Sequence, residues 1–190
     1  MNREEAFVIV KKYIKSESLI KHSLCVEAAM RWYAQKLDED IEVWGMAGLL
    51  HDFDWEIHPQ SPDHPEKGAP ILREHGVPEE IILAILAHGP SMSAPRDTTL
   101  AIALNACDEV TGLITACTLV RPSKNIADLK VKSVKKKWKN LNFAAGANRD
   151  EIANGAEEFG IELWEHVGNI IASMQDVAEE IGLAGIANSN

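Results

Sequence analysis

The chain of 190 residues lacks several features that identify common enzyme classes. It has three cysteines, Cys25, Cys107 and Cys117, without the CxxC spacing of zinc and redox sites. Each lies in an apolar stretch, which indicates a buried, reduced thiol. The chain also has no glycine-rich phosphate loop and no GxSxG nucleophile elbow. These absences argue against a disulfide framework and exclude two familiar hydrolase classes.

Positive charge is scarce, because 19 Lys and Arg residues face 29 Asp and Glu residues, for a formal net charge of −10. Affinity for nucleic acid comes chiefly from Lys and Arg, so no bulk nucleic-acid binding is expected. A small phosphorylated substrate remains compatible, since a bound metal reverses the local sign. The N-terminus is unlike a signal peptide, and apolar stretches such as residues 43–50 are too short to span a membrane. We therefore expect a cytoplasmic protein without membrane contact.

Apolar residues recur at helical spacing along nearly the whole chain, and no segment alternates as a strand does. Asn2 with Glu5 forms a capping-box signal, and Pro70 is expected to kink its helix or delay its start. We predict an all-α helical bundle in one domain. The predicted helices cover about residues 2–15, 18–37, 41–50, 63–76, 78–89, 98–120, 130–139, 148–160 and 161–181, with loops at 52–63 and 90–97.

Four residues of metal-ligand type lie where this pattern predicts a dry interior. His22 shares a helix face with apolar residues, His51 and Asp52 close the most apolar helix, and Asp108 lies within LAIALNACDEVTGLI. An unpaired carboxylate there would cost several kcal/mol. Neither 43–62 nor 98–120 contains Lys or Arg. A hydrogen-bonded core histidine, a helix-ending aspartate or a distant lysine explains each residue alone, but together the four favour a metal.

The order His22, then His51-Asp52, then Asp108, each on a predicted helix, resembles the HD-domain superfamily of metal-dependent phosphohydrolases. The similarity covers about residues 21–121, and AGLLHDFDWE is similar to the AGLLHDIG-type stretch of that family. Farther on, VRPSK, VKSVKKKWKN and FAAGANRDEI are similar to small bacterial HDIG-domain phosphohydrolases. The resemblance implies a single HD domain over residues 1–190, with a metal-binding core at about 18–121 and a C-terminal helical extension at 122–190.

The resemblance also implies a ligand set. The residues matching His22, His51, Asp52 and Asp108 bind a first metal, and Asp52 can bridge to a second. Two-metal relatives add two histidines, for which this chain offers His88, after an apolar helix, and His64. His58 competes with His64, because relatives commonly place this histidine directly before a glycine, where this chain has Lys67. His75 and His166 are expected at the surface.

The chain departs from the family after the histidine–aspartate pair. Many HD proteins continue with a glycine and a lysine that binds substrate phosphate, where this chain has Asp54 and Trp55. Asp54 is a candidate base or proton carrier, while Trp55 either stacks on a base or roofs the pocket. With Asp52, Asp54 completes the predicted catalytic pair. The missing positive charge has four candidate replacements: Lys67, Arg96, Arg121 and Lys124.

The resemblance implies a hydrolase that cleaves a phosphate ester or anhydride, of a nucleotide or a related small molecule, with a metal-activated hydroxide as nucleophile. Histidine and carboxylate ligands without a thiolate suit one or two ions of Mn, Fe, Co, Ni or Zn. Two alternatives stay open: a di-iron oxygenase of the HD type, and a non-catalytic metal-containing domain for ligand binding or interaction. In the latter, the lysine-rich helix at 130–139 is either a docking surface for an acidic partner or RNA, or a solvated face. The apolar C-terminal helix leaves a homodimer open.

Overall fold

The computed structural model of the protein describes residues 1–89 and 93–185, so part of the predicted 90–97 loop and the last five residues lie outside the described residues. Within the described residues the fold is all-α, as predicted, with ten α-helices and one 3-10 helix at Ile126–Asp128. In chain order the α-helices are α1 (Arg3–Tyr13), α2 (Glu17–Leu37), α3 (Ile41–Leu50), α4 (Asp63–Glu66), α5 (Gly68–Glu74), α6 (Glu79–Leu86), α7 (Thr99–Leu119), α8 (Val131–Trp138), α9 (Arg149–Glu158) and α10 (Leu163–Asp176).

Side-chain caps set several of the helix starts. The capping box of Asn2 and Glu5 opens α1, and Asp40, Thr98 and Asn148 accept backbone N–H bonds at the starts of α3, α7 and α9. These bonds satisfy donors that have no partner within the helix. The predicted boundaries of these helices therefore lie within about two residues of those observed.

The predicted helix at 63–76 is wrong in detail, because it is divided into α4 and α5. His64 has an extended backbone (φ −89°, ψ 128°), as expected for a residue that precedes a proline. Asp63 does not cap the segment, because the cap position belongs to Pro62 and no side chain bonds there. Pro70 lies in the first turn of α5, where its missing N–H costs nothing. This interruption turns His64 into the interior.

The core forms around α2, which packs against α3, α7 and α10. In α3, every residue from Trp44 to Leu50 is buried. A Cβ on Gly48 would lie 2.8 Å from the Val26 carbonyl oxygen of α2, so glycine permits a close crossing of the two backbones. This crossing brings the end of α3 beside α2, one turn after His22.

Helix α7 runs through the same core and contacts α2, α6, α8, α9 and α10. By length and composition it could cross a membrane, so the expectation that no apolar stretch is long enough was wrong. However, 61% of its apolar window is buried inside the protein, and a buried core helix has the same composition. The three cysteines are all free and buried, as predicted.

The C-terminal helices pack on the same core as the N-terminal ones. Ile170 and Met174 of α10 belong to the main hydrophobic cluster, and α9 packs along α7. The division into a metal-binding core at 18–121 and an extension at 122–190 stays a prediction, and residues 186–190 of that extension lie outside the described part of the chain.

Candidate metal centre

Three helices bring the first cluster together. His22 comes from α2, His51 and Asp52 from the end of α3, and Asp108 from the middle of α7. His22 Nε2 lies 3.0 Å from Asp108 Oδ1, and His51 Nε2 lies 3.4 Å from the same oxygen. Asp52 Oδ2 lies 3.3 Å from His51 Nε2 and 3.6 Å from His22 Nε2. One ligand atom from each residue lies within 4.8 Å of all the others, which is compatible with a shared ion.

A second cluster forms on the other oxygen of Asp52. His64 Nε2 lies 3.2 Å and His88 Nε2 lies 3.4 Å from Asp52 Oδ1, and the two ring nitrogens are 3.2 Å apart. Asp52 therefore faces both clusters with different oxygens. Among the residues that the structure describes, His64 joins this cluster and His58 does not.

The second ring nitrogen of each histidine is held by a neighbour that sets the ring's orientation. His51 Nδ1 donates to the Gly48 carbonyl at 2.8 Å, and His88 Nδ1 donates to the Ile85 carbonyl. Because a carbonyl oxygen can only accept, Nδ1 carries the proton in both rings, and Nε2 presents a lone pair to the cluster when the ring is neutral.

The Nδ1 atoms of the other two histidines, His64 and His22, are also held by hydrogen bonds. His64 Nδ1 donates to Asp54 Oδ1 at 2.7 Å. The Thr111 hydroxyl donates to the Asp108 carbonyl at 2.8 Å, so its oxygen is free to accept from His22 Nδ1 at 3.3 Å. All four rings thus direct Nε2 inward.

This donor set fits a divalent ion. Within each cluster, Nε2 lone pairs and carboxylate oxygens face one another, as in the 3.3 Å approach of His22 and His51. Groups that only accept cannot satisfy one another, so positive charge must lie between them. Imidazole and carboxylate ligands without thiolate suit Mn, Fe, Co, Ni or Zn. The assignment of His22, His51, Asp52, His64, His88 and Asp108 as ligands stays a prediction, now with compatible geometry.

The charges of the cluster also perturb its pKa values. Burial alone would lower the pKa of His51, but Asp52 and Asp108 outweigh it and raise that pKa well above its usual value. For His64, burial is outweighed by its bonds to Asp52 and Asp54, which raise its pKa to about 9. For Asp52 and Asp108, burial is outweighed by the histidines, which hold the carboxyl pKa values well below the usual range. Without a metal, protons supply the charge that the cluster requires.

Asp54 lies behind the second cluster rather than at its surface. Its side chain is fully buried, and its Oδ2 has no hydrogen-bond partner. A Cβ on Gly68 would lie 2.5 Å from that oxygen, so glycine at the start of α5 is what leaves room for the carboxylate. The assignment of Asp54 as a base or proton carrier stays a prediction, and this position would let it act on the substrate only through His64. Its geometry makes it a positioning residue for His64.

A cavity of about 630 Å³ opens onto both clusters. Trp55 lines it with a side chain that is 41% exposed and packs edge-to-face on His64, with ring centroids 4.9 Å apart. This position agrees with the predicted role of a roof. Sequence reasoning missed two further carboxylates in the wall, Glu109 and Glu151, which accept hydrogen bonds from the backbone and side chain of Asn148 respectively. Burial, and then the charge of Asp108, raise the pKa of Glu109 to about 7.

In the described part of the chain, no Lys or Arg lines this cavity. Lys67 pairs with Asp63 at 2.6 Å. Arg96 donates to the carbonyls of Ala87 and Gly89, at 2.8 and 2.6 Å, and is thereby held at the end of α6. Both side chains thus have other partners in this structure, and their assignment as phosphate-binding residues stays a prediction.

Arg121 and Lys124 are also remote from the site. They follow the C-terminus of α7, and Arg121 is 13 positions beyond Asp108, which is roughly 20 Å along a helix at 1.5 Å per residue. Neither side chain lines the cavity, and their contact with the substrate phosphate stays a prediction.

The remaining histidines divide between surface and core. His75 is exposed, as predicted. The prediction for His166 was wrong, because its ring is fully buried and lies 2.6 Å from the Tyr33 hydroxyl and 2.8 Å from the Ala106 carbonyl. The signal was present in the sequence, since Ile170 and Met174 follow it at helical spacing on the buried face of α10.

Comparisons with known proteins agree with this geometry. The sequence pattern of the HD domain family matches residues 19–113, which include all the predicted ligands. Ribonuclease Y of Nitratidesulfovibrio vulgaris is 36% identical over 98 residues, which cover 51% of this chain and 18% of the relative. Ribonuclease Y of Desulfotalea psychrophila is 28% identical over 166 residues, which cover 84% of this chain and 32% of the relative. The chain thus spans a third or less of the length of these relatives. No solved structure matches it.

Proposed function

Because the chain belongs to the HD-domain family, whose members are generally metal-dependent phosphohydrolases, we propose that it cleaves a phosphate ester or anhydride of a nucleotide or a related small molecule. The observation that supports this most directly is the position of Asp52. Its two carboxylate oxygens face two separate histidine clusters, one completed by Asp108 and the other by His64 and His88. This arrangement suits a pair of ions that share one carboxylate.

The protein's own groups determine where such ions are held. His22, His51, Asp52 and Asp108 would hold one, and Asp52, His64 and His88 would hold the other. When bound, divalent ions lower the pKa of coordinated water and neutralise charge on phosphoryl oxygens. Nδ1–H bonds hold the four rings, which reduces the reorganisation needed when a ligand binds.

The cavity supports a catalytic rather than a purely structural role. A structural metal site is closed by protein ligands, whereas this one opens into about 630 Å³, which is within the usual size of a small-molecule site. Trp55 offers a partly exposed ring to the organic portion of a substrate. The names of the ribonuclease Y relatives make a ribonucleotide phosphodiester one form of that substrate. We also retain the proposals of cytoplasmic action and of a homodimer.

The test begins with protein purified without chelators or affinity metals. Elemental analysis should find one or two transition ions per chain, and a panel of nucleotides and bis-p-nitrophenyl phosphate should be hydrolysed with added Mn²⁺ or Co²⁺. The Asp52→Asn variant should lose more than about 100-fold in turnover, because outer-shell residues alone typically contribute 10–100-fold. The matched variant Asp63→Asn, in the same segment but outside both clusters, should remain active.

Two results would reject the proposal. Full turnover by Asp52→Asn would show that the clusters do not act in hydrolysis. Two irons per chain with oxygen consumption, and no hydrolysis of any phosphate ester, would favour the HD-type oxygenase instead.

A further inference from the structure

Helix α8 and its flanks carry a concentration of positive charge that the proposed hydrolysis does not use. The segment 130–139 contains six lysines and no acidic residue, although the whole chain has a net charge of −10. We name this surface the lysine stripe, and it consists of Lys130, Lys132, Lys135, Lys136, Lys137 and Lys139, all of which are exposed.

The stripe is held in place by its apolar side. Val134 is fully buried, Val131 packs on the core, and Trp138 meets Trp164 edge-to-face with centroids 5.2 Å apart. A helix anchored in this way presents its remaining positions to solvent. In the described residues, none of the stripe's lysines forms an ion pair, in contrast to Lys21, which pairs with Glu17.

Two lysines of the stripe lie over aromatic rings. Lys135 Nζ lies 4.8 Å from the Trp164 ring centroid, and Lys137 Nζ lies 4.9 Å from that of Phe143. Both rings are partly exposed. A positively charged surface beside accessible aromatic rings is the combination that binds single-stranded nucleic acid, through phosphates and stacked bases respectively.

The stripe also leads to the cavity. The loop after α8 passes through Phe143, whose carbonyl accepts from Arg149, and then supplies Ala144, Gly146 and Ala147 to the cavity wall. Lys137 therefore contacts a residue adjacent to that wall. A polynucleotide bound along the stripe would thus come close to the wall of the cavity at the C-terminal end of α8.

We propose that the lysine stripe binds the phosphate backbone of a single-stranded polynucleotide and guides it to the cavity of the metal centre. This surface lies outside the matched HD segment at 19–113, so it goes beyond the proposed hydrolysis. An anionic membrane fits less well, because the apolar residues of α8 face the protein core rather than the outside. The expectation of no bulk nucleic-acid binding came from the net charge, which averages over this local concentration.

The length of the stripe sets the expected strength of the salt dependence. The ten residues 130–139, which are the eight of α8 and its two cap residues, span roughly 15 Å at 1.5 Å per residue. This length corresponds to about four phosphates at 3.4 Å per nucleotide. Four neutralised phosphates give a slope of about −2.8 for log K against log salt concentration on single strands. Affinity should then fall by about 50-fold between 50 and 200 mM salt.

The experiment measures fluorescence anisotropy of a labelled 2′-O-methyl oligouridylate, which resists cleavage, with the full chain in EDTA. Binding is thereby separated from hydrolysis, and failure of the proposed function does not affect the result. The test variant combines Lys130→Gln, Lys132→Gln, Lys136→Gln and Lys139→Gln, and it leaves the two lysines on aromatic rings unchanged. The matched control changes the same amount of charge elsewhere, through Lys11→Gln, Lys12→Gln, Lys15→Gln and Lys36→Gln, all exposed.

The test variant should bind at least tenfold more weakly at 50 mM salt, and its salt slope should fall to about half of the parent's, because two lysines of the stripe remain. The control should stay within about twofold of the parent. Circular dichroism checks that both variants are folded. Equal affinities of the two variants, or no binding by the parent protein, would overturn the proposal. Stripe-dependent binding to phosphatidylserine vesicles without binding to the oligonucleotide would also overturn it, and would identify a membrane as the partner.

Discussion

Adding one methyl group at Gly68 tests how the second histidine cluster is held. In the Gly68→Ala variant the new Cβ would lie 2.5 Å from Asp54 Oδ2 and 2.6 Å from Asp54 Cγ. Such contacts are shorter than real Cβ atoms show, so the Asp54 carboxylate has to move. It is fully buried, and its movement withdraws Oδ1 from the 2.7 Å bond with His64 Nδ1.

The magnitude follows from the bond that is lost. A hydrogen bond to a charged group contributes about 1.5–3 kcal/mol to stability, and alanine in a helix recovers up to about 1 kcal/mol relative to glycine. We therefore expect the free energy of unfolding to fall by about 1–2 kcal/mol. Losing the partner that orients a ligating histidine typically weakens metal affinity by 10–100-fold. In Gly68→Ala, the loss of metal affinity should be confined to the ion held by His64 and His88.

The assay is titration of metal-free protein with Co²⁺, followed by absorption spectroscopy and calorimetry. Parent protein should show two binding events, and Gly68→Ala should show one unchanged and one weakened event. Gly168→Ala is the matched control, because its Cβ would lie at an ordinary 3.5 Å from Val131. Unchanged affinity for both ions in a folded Gly68→Ala variant would refute the role given to Asp54.

Two further predictions concern stability and use metal-free protein in urea. Gly48→Ala should lower the free energy of unfolding by about 3 kcal/mol, because the new Cβ would meet the Val26 carbonyl at 2.8 Å. The control Gly112→Ala, whose Cβ has nothing within 4 Å, should not lower it. Equal stabilities of the two variants would contradict the close crossing of α2 and α3. Burial lowers the pKa of His166, so the folded state resists its protonation, and this contribution to stability is present above about pH 6.5 and lost as the pH falls. Below that pH, the free energy of unfolding of the parent should fall by up to about 1.4 kcal/mol per pH unit more than that of His166→Gln. If the unfolding free energies of the two proteins change in parallel with pH, His166 is not the group responsible.

Local signals explain why most helix boundaries could be predicted. Asn2, Asp40, Thr98 and Asn148 cap their helices through neighbouring residues, so the information lies within a few positions. The failure at 63–76 has the opposite origin. There the helical apolar pattern competed with the restriction that Pro65 places on the preceding residue, and the restriction prevailed.

The sequence predicts those residues of the candidate site that lie in apolar segments without a nearby Lys or Arg. His22, His51, Asp52 and Asp108 stood out because apolar neighbours surround them and no local cation pairs with them. The position of Asp54 behind His64 could not be predicted in the same way, because it depends on the space left by Gly68 in another helix. Which lysine or arginine lines the cavity is likewise decided by tertiary contacts, and none of the four candidates for phosphate binding, Lys67, Arg96, Arg121 and Lys124, lies in its wall.

The distribution of charge connects the two proposals. A cavity walled by carboxylates without any described Lys or Arg repels a phosphate unless ions are bound, so metal loading should decide whether substrate enters at all. A chain of net charge −10 also repels a polynucleotide at long range. Lys137 of the lysine stripe contacts Phe143, which is next to Ala144 of the cavity wall. In our proposal the stripe offsets that repulsion without placing a cation that would compete with the metals for Asp52 and Asp108. The two proposals therefore assign complementary tasks to the lysines of the stripe, which attract phosphate, and to the ions, which bind it inside the cavity.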